Sequence, residues 1–349
     1  MPKKHTVKKP FLLLFILAAL ASGLSAQKIA ASDLRTLRAK EDSLKQLAIN
    51  LHTDTLPEGR LRSDSIFIRT LVRSLQTKNS FYYPFDSVLG VSRLYAPDSA
   101  FRIFTWAVEL PNLGYQSRKR GAIQMRTPDG SLRLIPLRDV TGYTEGPSDS
   151  VRGKDNWIGA VYYNIVKTSW NAKPHYTLFG LDVYGPTKRK WIEVLTFDER
   201  QQPQFGATGG LFDFTQDSIP GKARDRFYIE YKREASTLVN YVDEQKMILY
   251  DHLVSESNQP DLPYTMIPDG DSEGFKWESG RWVHVSKVFD YKIDMNGADP
   301  LLGKPPVGDA LLDRDGNVDE EKLQQSTDRN TGDDGAKEDA KKKKKKKGE

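Results

Sequence analysis

Phe101-Arg102-Ile103-Phe104-Thr105-Trp106-Ala107-Val108-Glu109 marks the place where the chain passes from helix to sheet. Aromatic and β-branched residues become dense here, and the apolar spacing shifts from the helical period to alternation. Downstream, the same pattern predicts strands over Gly121–Thr127, Ser131–Arg138, Trp157–Trp170, Tyr176–Tyr184, Lys190–Phe197, Arg226–Lys232, Thr237–Val242, Lys246–His252 and Arg281–Tyr291. Turn chemistry separates many of them: Thr127-Pro128-Asp129-Gly130, Val242-Asp243-Glu244-Gln245 and Glu278-Ser279-Gly280. Such short joints set consecutive strands side by side and antiparallel. The fold class is therefore mainly β: an antiparallel meander sheet forming a sandwich, a barrel-like sheet or a propeller-like array. An outer-membrane barrel fits less well, because several strands are too short or carry charge on both faces.

Upstream, Leu37, Leu44 and Leu51 recur every seven residues, as do Leu61, Ile68 and Leu75, with Pro57 and Gly59 between the two runs. This spacing predicts an antiparallel helical hairpin over residues 27–79, either packed on the β domain or offering a coiled-coil contact to a partner. At the start, Lys3, Lys4, Lys8 and Lys9 precede an apolar run from Phe11 to Ala21 and the small-residue stretch Ser22 to Ala26. That order is a signal peptide over residues 1–26, and the run is shorter than the roughly 20 apolar residues of a membrane span.

The expected organisation is thus signal peptide 1–26, helical hairpin 27–79, β domain 80–295 and a disordered tail 296–349. In the tail, eleven acidic residues against four basic ones from Asp309 to Asp339 precede the unbroken run Lys341 to Lys347. Few apolar groups occur there to offset the entropy of ordering.

The chain has no cysteine, which excludes disulfides, thiolate metal sites and a lipid-bearing cysteine. Its formal charge of +5 falls to about +1 once the four leader lysines are removed, so no bulk attraction to nucleic acid is expected.

Tyr176-Thr177-Leu178-Phe179-Gly180-Leu181-Asp182, Lys190-Trp191-Ile192-Glu193-Val194-Leu195-Thr196-Phe197-Asp198, Tyr250-Asp251-His252-Leu253 and Gly274-Phe275-Lys276-Trp277-Glu278-Ser279-Gly280-Arg281-Trp282-Val283 resemble an uncharacterised family of exported Bacteroidota envelope proteins. The likeness covers roughly residues 80–290. It implies a Gram-negative cell envelope, in the periplasm or on the periplasmic face of the outer membrane, and brings no catalytic set with it.

Few motifs suggest chemistry. Gly270-Asp271-Ser272-Glu273-Gly274 matches G-x-S-x-G, but acidic neighbours oppose an oxyanion and no helical pattern follows, so a solvated loop is expected. Asp313, Asp315 and Asp319 fall at the third, fifth and ninth positions of a calcium loop registered on Gly316, but Leu311 and Lys322 replace its first and last carboxylates. Weak calcium binding is the most that this pattern supports. His52, His175, His252 and His284 form no metal-ligand pair by spacing. His252 could be oriented by Asp251, although neighbours on a strand point to opposite faces.

Glu193, Asp198, Asp182 and Glu230 are the carboxylates that could pair for glycan hydrolysis, against the plainer reading of surface strand charges. Trp277 and Trp282 could form a sugar platform or simply a packed hairpin end. Arg118, Lys119 and Arg120 are expected in a solvated loop. No phosphate-binding glycine motif occurs, so no nucleotide cofactor is indicated.

The sequence therefore favours a non-enzymatic envelope module for a protein or glycan partner, with the hairpin and tail as contact elements and the lysine run as a peripheral membrane contact. The alternative is a periplasmic hydrolase acting on glycan or ester bonds through these carboxylates or Ser272.

Overall fold

The computed structural model describes residues 29–110, 116–144, 146–207 and 209–288. The leader, the segment 289–349 and with it Asp313, Asp315 and Asp319 lie outside the described residues.

Helices α1 (Ala31–Thr53) and α2 (Pro57–Leu75) form the expected hairpin. Pro57 opens α2, where its missing N–H and fixed φ cost nothing. Strands β1 (Ser92–Tyr95), β2 (Phe101–Leu110), β3 (Gln116–Met125) and β4 (Arg133–Leu137) form the first sheet in sequence order. The second sheet holds β5 (Val161–Trp170), β6 (Lys173–Tyr184), β7 (Thr187–Phe197), β8 (Pro203–Phe205) and, beyond them in the chain, β10 (Arg226–Lys232). The third runs β11 (Val239–Val242), β12 (Met247–Ser255), β13 (Met266–Glu278), β14 (Arg281–Val285), and β9 (Phe212–Asp213) closes it by pairing parallel to β14. All other strand pairs are antiparallel.

The sheets stack, and alternation along one strand serves two cores at once. On β2, Phe104, Trp106, Val108 and Leu110 meet Leu37, Leu44, Leu51, Phe67 and Leu71 of the hairpin. Phe101 and Ile103, on the other face, meet Tyr176, Leu178, Trp191 and Leu195 of the second sheet. Phe179, Ile192 and Val194, on that sheet's far side, meet Ile248, Tyr250, Phe275 and Trp282 of the third. The first strands of successive sheets are neighbours: Ser92 Oγ donates to Tyr162 O, Tyr163 OH to Val239 O (2.6 Å) and Asn164 Nδ2 to Asn240 Oδ1 (2.6 Å). Of the three architectures the sequence allowed, the propeller-like array fits this order, with the hairpin covering the outer face of the first sheet. The hairpin's apolar stripe is buried within this chain, which is the packing alternative rather than the coiled-coil one.

Polar ties cross between layers. Asp64 on α2, fully buried, accepts from Trp106 Nε1 (2.9 Å) and pairs with Arg120 (2.8 Å). Buried Arg102 donates to Gln124 Oε1 (2.8 Å) and to the carbonyls of Ser80 (2.8 Å) and Tyr83 (2.6 Å), with its guanidinium 4.7 Å from the Phe104 ring centroid. Burial pushes its pKa down to about 10, and the aromatic faces and carbonyls keep the cation in place of a carboxylate. The cluster Arg118, Lys119, Arg120 lies on β3 rather than in a loop. Lys119 is buried against Asp182 on β6, because alternation turns it inward while Arg118 faces solvent. No helix among the described residues is long and apolar enough to cross a membrane.

Candidate functional site

The expected solvated loop around Ser272 is instead the middle of β13, a thirteen-residue strand. Its Pro, Gly and acidic content hides the strand pattern, and the ladder itself breaks there. Asp251 pairs with Ser272 but Leu253 pairs with Pro268, so Asp269, Gly270 and Asp271 bulge opposite the single residue His252. Gly270 takes φ +97°, a backbone open to glycine. A bulge re-aims side chains, and this one turns His252 toward Asp269. His252 Nδ1 lies 2.7 Å from Asp269 Oδ2, and Nε2 has no partner among the described residues. Asp251, the neighbour that the sequence offered as an orienting group, faces elsewhere and accepts from Thr237 Oγ1 (3.1 Å) and Leu238 N (2.6 Å).

His252 lines a cleft of about 270 Å³ together with Phe214, Arg224, Phe227, Tyr250 and Glu273. The floor is aromatic, with Phe214–Phe227 and Phe227–Tyr250 centroids 6.0 and 4.8 Å apart. Exposed Arg224 lies with its guanidinium 5.3 Å from the Phe214 ring centroid and makes no ion pair among the described residues.

Behind the floor, His284 is clamped. Its Nδ1 is 2.9 Å from both oxygens of Asp217, and its Nε2 is 2.8 Å from Tyr250 OH and 3.2 Å from Glu273 Oε2. Tyr250 OH donates to Glu273 Oε2 at 2.6 Å. Each nitrogen thus faces an acceptor, which is the environment of an imidazolium. Burial lowers the His284 pKa, but the hydrogen bonds and charges of Glu273 and Asp217 outweigh it and raise the net value. For Glu273, burial raises the pKa and the His284 and Tyr250 hydrogen bonds more than reverse it. Tyr250 is pushed far up, first by burial and then by Glu273, so it is a neutral donor and no nucleophile.

The carboxylates proposed for hydrolysis do not converge. Glu193 is sealed in the second sheet against Arg226 Nε (3.1 Å) and Tyr162 OH. Asp182 pairs with Lys119, and Glu230 pairs with Arg189 (2.7 Å) and Thr187. Asp198 caps its own turn through Gln202 N (2.7 Å). Trp277 and Trp282 pack edge to face at 5.2 Å, and Trp282, fully buried, donates to Thr177 Oγ1, so they close a hairpin end. His52 bonds Gly90 O and His175 bonds Lys173 O. No group of three metal-ligating side chains occurs among the described residues.

A larger cleft of about 740 Å³ lies by Lys232, Glu256 and Tyr264, but Lys232 is already bridged to Glu256 at 2.6 Å.

Sequence reasoning reached His252 and His284 only as scattered histidines and missed Asp217, Arg224, Tyr250, Asp269 and Glu273 as a set. His284 and Asp217 are 67 residues apart, and no spacing rule connects them. The one local sign was Asp269-Gly270 inside an otherwise strand-like stretch, which is where a bulge belongs. No family model, curated protein or solved structure matches the chain.

Proposed function

We propose that this chain is an exported cell-envelope protein that serves as a non-enzymatic binding or assembly module and presents the cleft at the β12–β13 bulge to an envelope protein or glycan. The observation that carries the reading is a contrast in charge use. Asp182, Glu193 and Glu230 are each held by a cation, whereas Arg224 stands over an aromatic floor with no counter-ion among the described residues. Export rests on the leader-like order of residues 1–26 and on the family resemblance. The lysine run 341–347 supplies a peripheral contact to anionic membrane.

A second reading, hydrolysis of glycan or ester bonds, draws on one observation: Asp269 holds His252 by Nδ1 and leaves Nε2 open, the arrangement of an oriented general base. Against it, no serine or threonine lines the cleft. Immobilised full chain should retain an envelope glycan or protein from a membrane extract and leave chromogenic ester and glycoside substrates intact. Turnover that disappears in His252→Ala would replace the binding reading with the enzymatic one.

A further inference from the structure

Three features of the cleft ask for different things from one ligand. The Arg224 guanidinium, exposed and laid 5.3 Å from the Phe214 ring centroid, has no ion pair among the described residues and keeps its donor fork available. A planar fork of this kind matches a carboxylate by two parallel hydrogen bonds. The floor is aromatic, with Phe214 half-buried beneath Arg224 and only small parts of Phe227 and Tyr250 reaching the surface. Glu273 accepts both of its hydrogen bonds, from Tyr250 and His284, on Oε2; Oε1 has no partner among the described residues, and the side chain is 23% exposed. His252 Nε2 adds a second open polar atom at the rim.

We infer that the cleft binds a six-membered sugar ring bearing a carboxylate, a uronic acid, with the carboxylate on Arg224, the ring's C–H face on the aromatic floor and hydroxyls on Glu273 Oε1 and His252 Nε2. The inference rests on the binding reading above and names its ligand class.

Simpler ligands each leave something buried and unpaired. A neutral sugar would cover Arg224 without a counter-charge. A hydrocarbon carboxylate would desolvate Glu273 with no hydroxyl to meet it. A phosphate would bring extra negative charge toward Glu273, which shares the lining. A volume of about 270 Å³ lies just below the ~300 Å³ where pockets for larger ligands begin, so one ring enters and a longer glycan would place a single residue here.

The test is calorimetric titration of the full chain with glucuronate, glucose and cyclohexanecarboxylate, alongside Arg224→Gln and His252→Gln. Arg224 is solvent-exposed and His252 is half-buried, and circular dichroism checks that the variants are folded. Glucuronate should bind about tenfold more tightly than glucose, the ratio supplied by its charge-assisted pairing with Arg224, and Arg224→Gln should remove that margin; it should also bind more tightly than cyclohexanecarboxylate, which keeps the carboxylate but lacks the hydroxyls. His252→Gln should weaken glucuronate and glucose alike and leave their ratio unchanged.

Equal affinity for glucose and glucuronate, or glucuronate binding unaltered in Arg224→Gln, would overturn the carboxylate assignment. Absence of glucuronate binding while the immobilised chain still retains an envelope partner would overturn the ligand class and spare the binding reading. Loss of both would end the two together.

Discussion

Glu193 and Glu273 sit in chemically matched settings. Each accepts a tyrosine hydroxyl, from Tyr162 and Tyr250 respectively, and each faces a cationic side chain, Arg226 and His284. At Glu193 the pair is sealed, with side chains 2% and 0% exposed, and Arg226 also donates to the carbonyls of Pro147 (2.6 Å), Ser150 (2.9 Å) and Phe205 (3.2 Å). At Glu273 the carboxylate is 23% exposed and borders a cleft. The sealed trio holds the second sheet to the loops that cover its edge. The open trio leaves Oε1 of Glu273 without a partner among the described residues. A tyrosine hydroxyl and a cationic side chain thus hold both carboxylates, and access to solvent separates them.

The difference can be broken most directly at Glu193. Glu193→Gln leaves Arg226 charged in a dry interior, so urea unfolding should show a loss of about 3–5 kcal/mol. A loss below about 1 kcal/mol would mean that the sealed trio is not sealed in solution.

His284→Gln should cost less, about 2–3 kcal/mol, because the open trio is partly solvated. It also sharpens the contrast through pH. The His284 pKa is raised on folding, so its stabilisation is complete below the ordinary histidine value and is lost as pH rises through the folded value. The Glu273 pKa is lowered, so its contribution holds above the ordinary carboxylate value and is lost as pH falls through the folded one. Unfolding free energies measured as pH rises above the ordinary histidine value should therefore decline in the parent chain and flatten in His284→Gln. A parent profile without that decline would remove the imidazolium from the clamp.

Arg224→Gln gives the smallest stability effect, within about 0.5 kcal/mol, since the side chain is exposed and carries no ion pair among the described residues. A melting-temperature shift of many degrees would assign Arg224 a structural role instead.

The helical hairpin, most strand positions and the hairpin turns were legible, because period and turn chemistry are local properties. Leu37, Leu44 and Leu51 define a buried helix face by spacing alone, and all three are fully buried. Gly130 and Gly280 take the positive φ that their turns require. Strand β13 was not legible where Pro268, Gly270 and three acids interrupt the alternation, since its residues are placed by pairing with β12 rather than by their own preference. Local reading also made Lys119 a loop cation, because nothing near it in the chain announces that Asp182, on another sheet, will be its partner.

Period, turn residues and the absence of cysteine determined by themselves that this chain builds antiparallel sheet behind a helical hairpin and must hold it with a core and polar ties alone. Tertiary structure decided which charges would be sealed and which left open. Glu193 read in the sequence as an acid on a strand and Glu273 as one in a solvated loop; pairing with β12 put Glu273 on a strand, and only the stacking of the sheets, which sets the water available to each, made one a strut and the other the wall of a cleft.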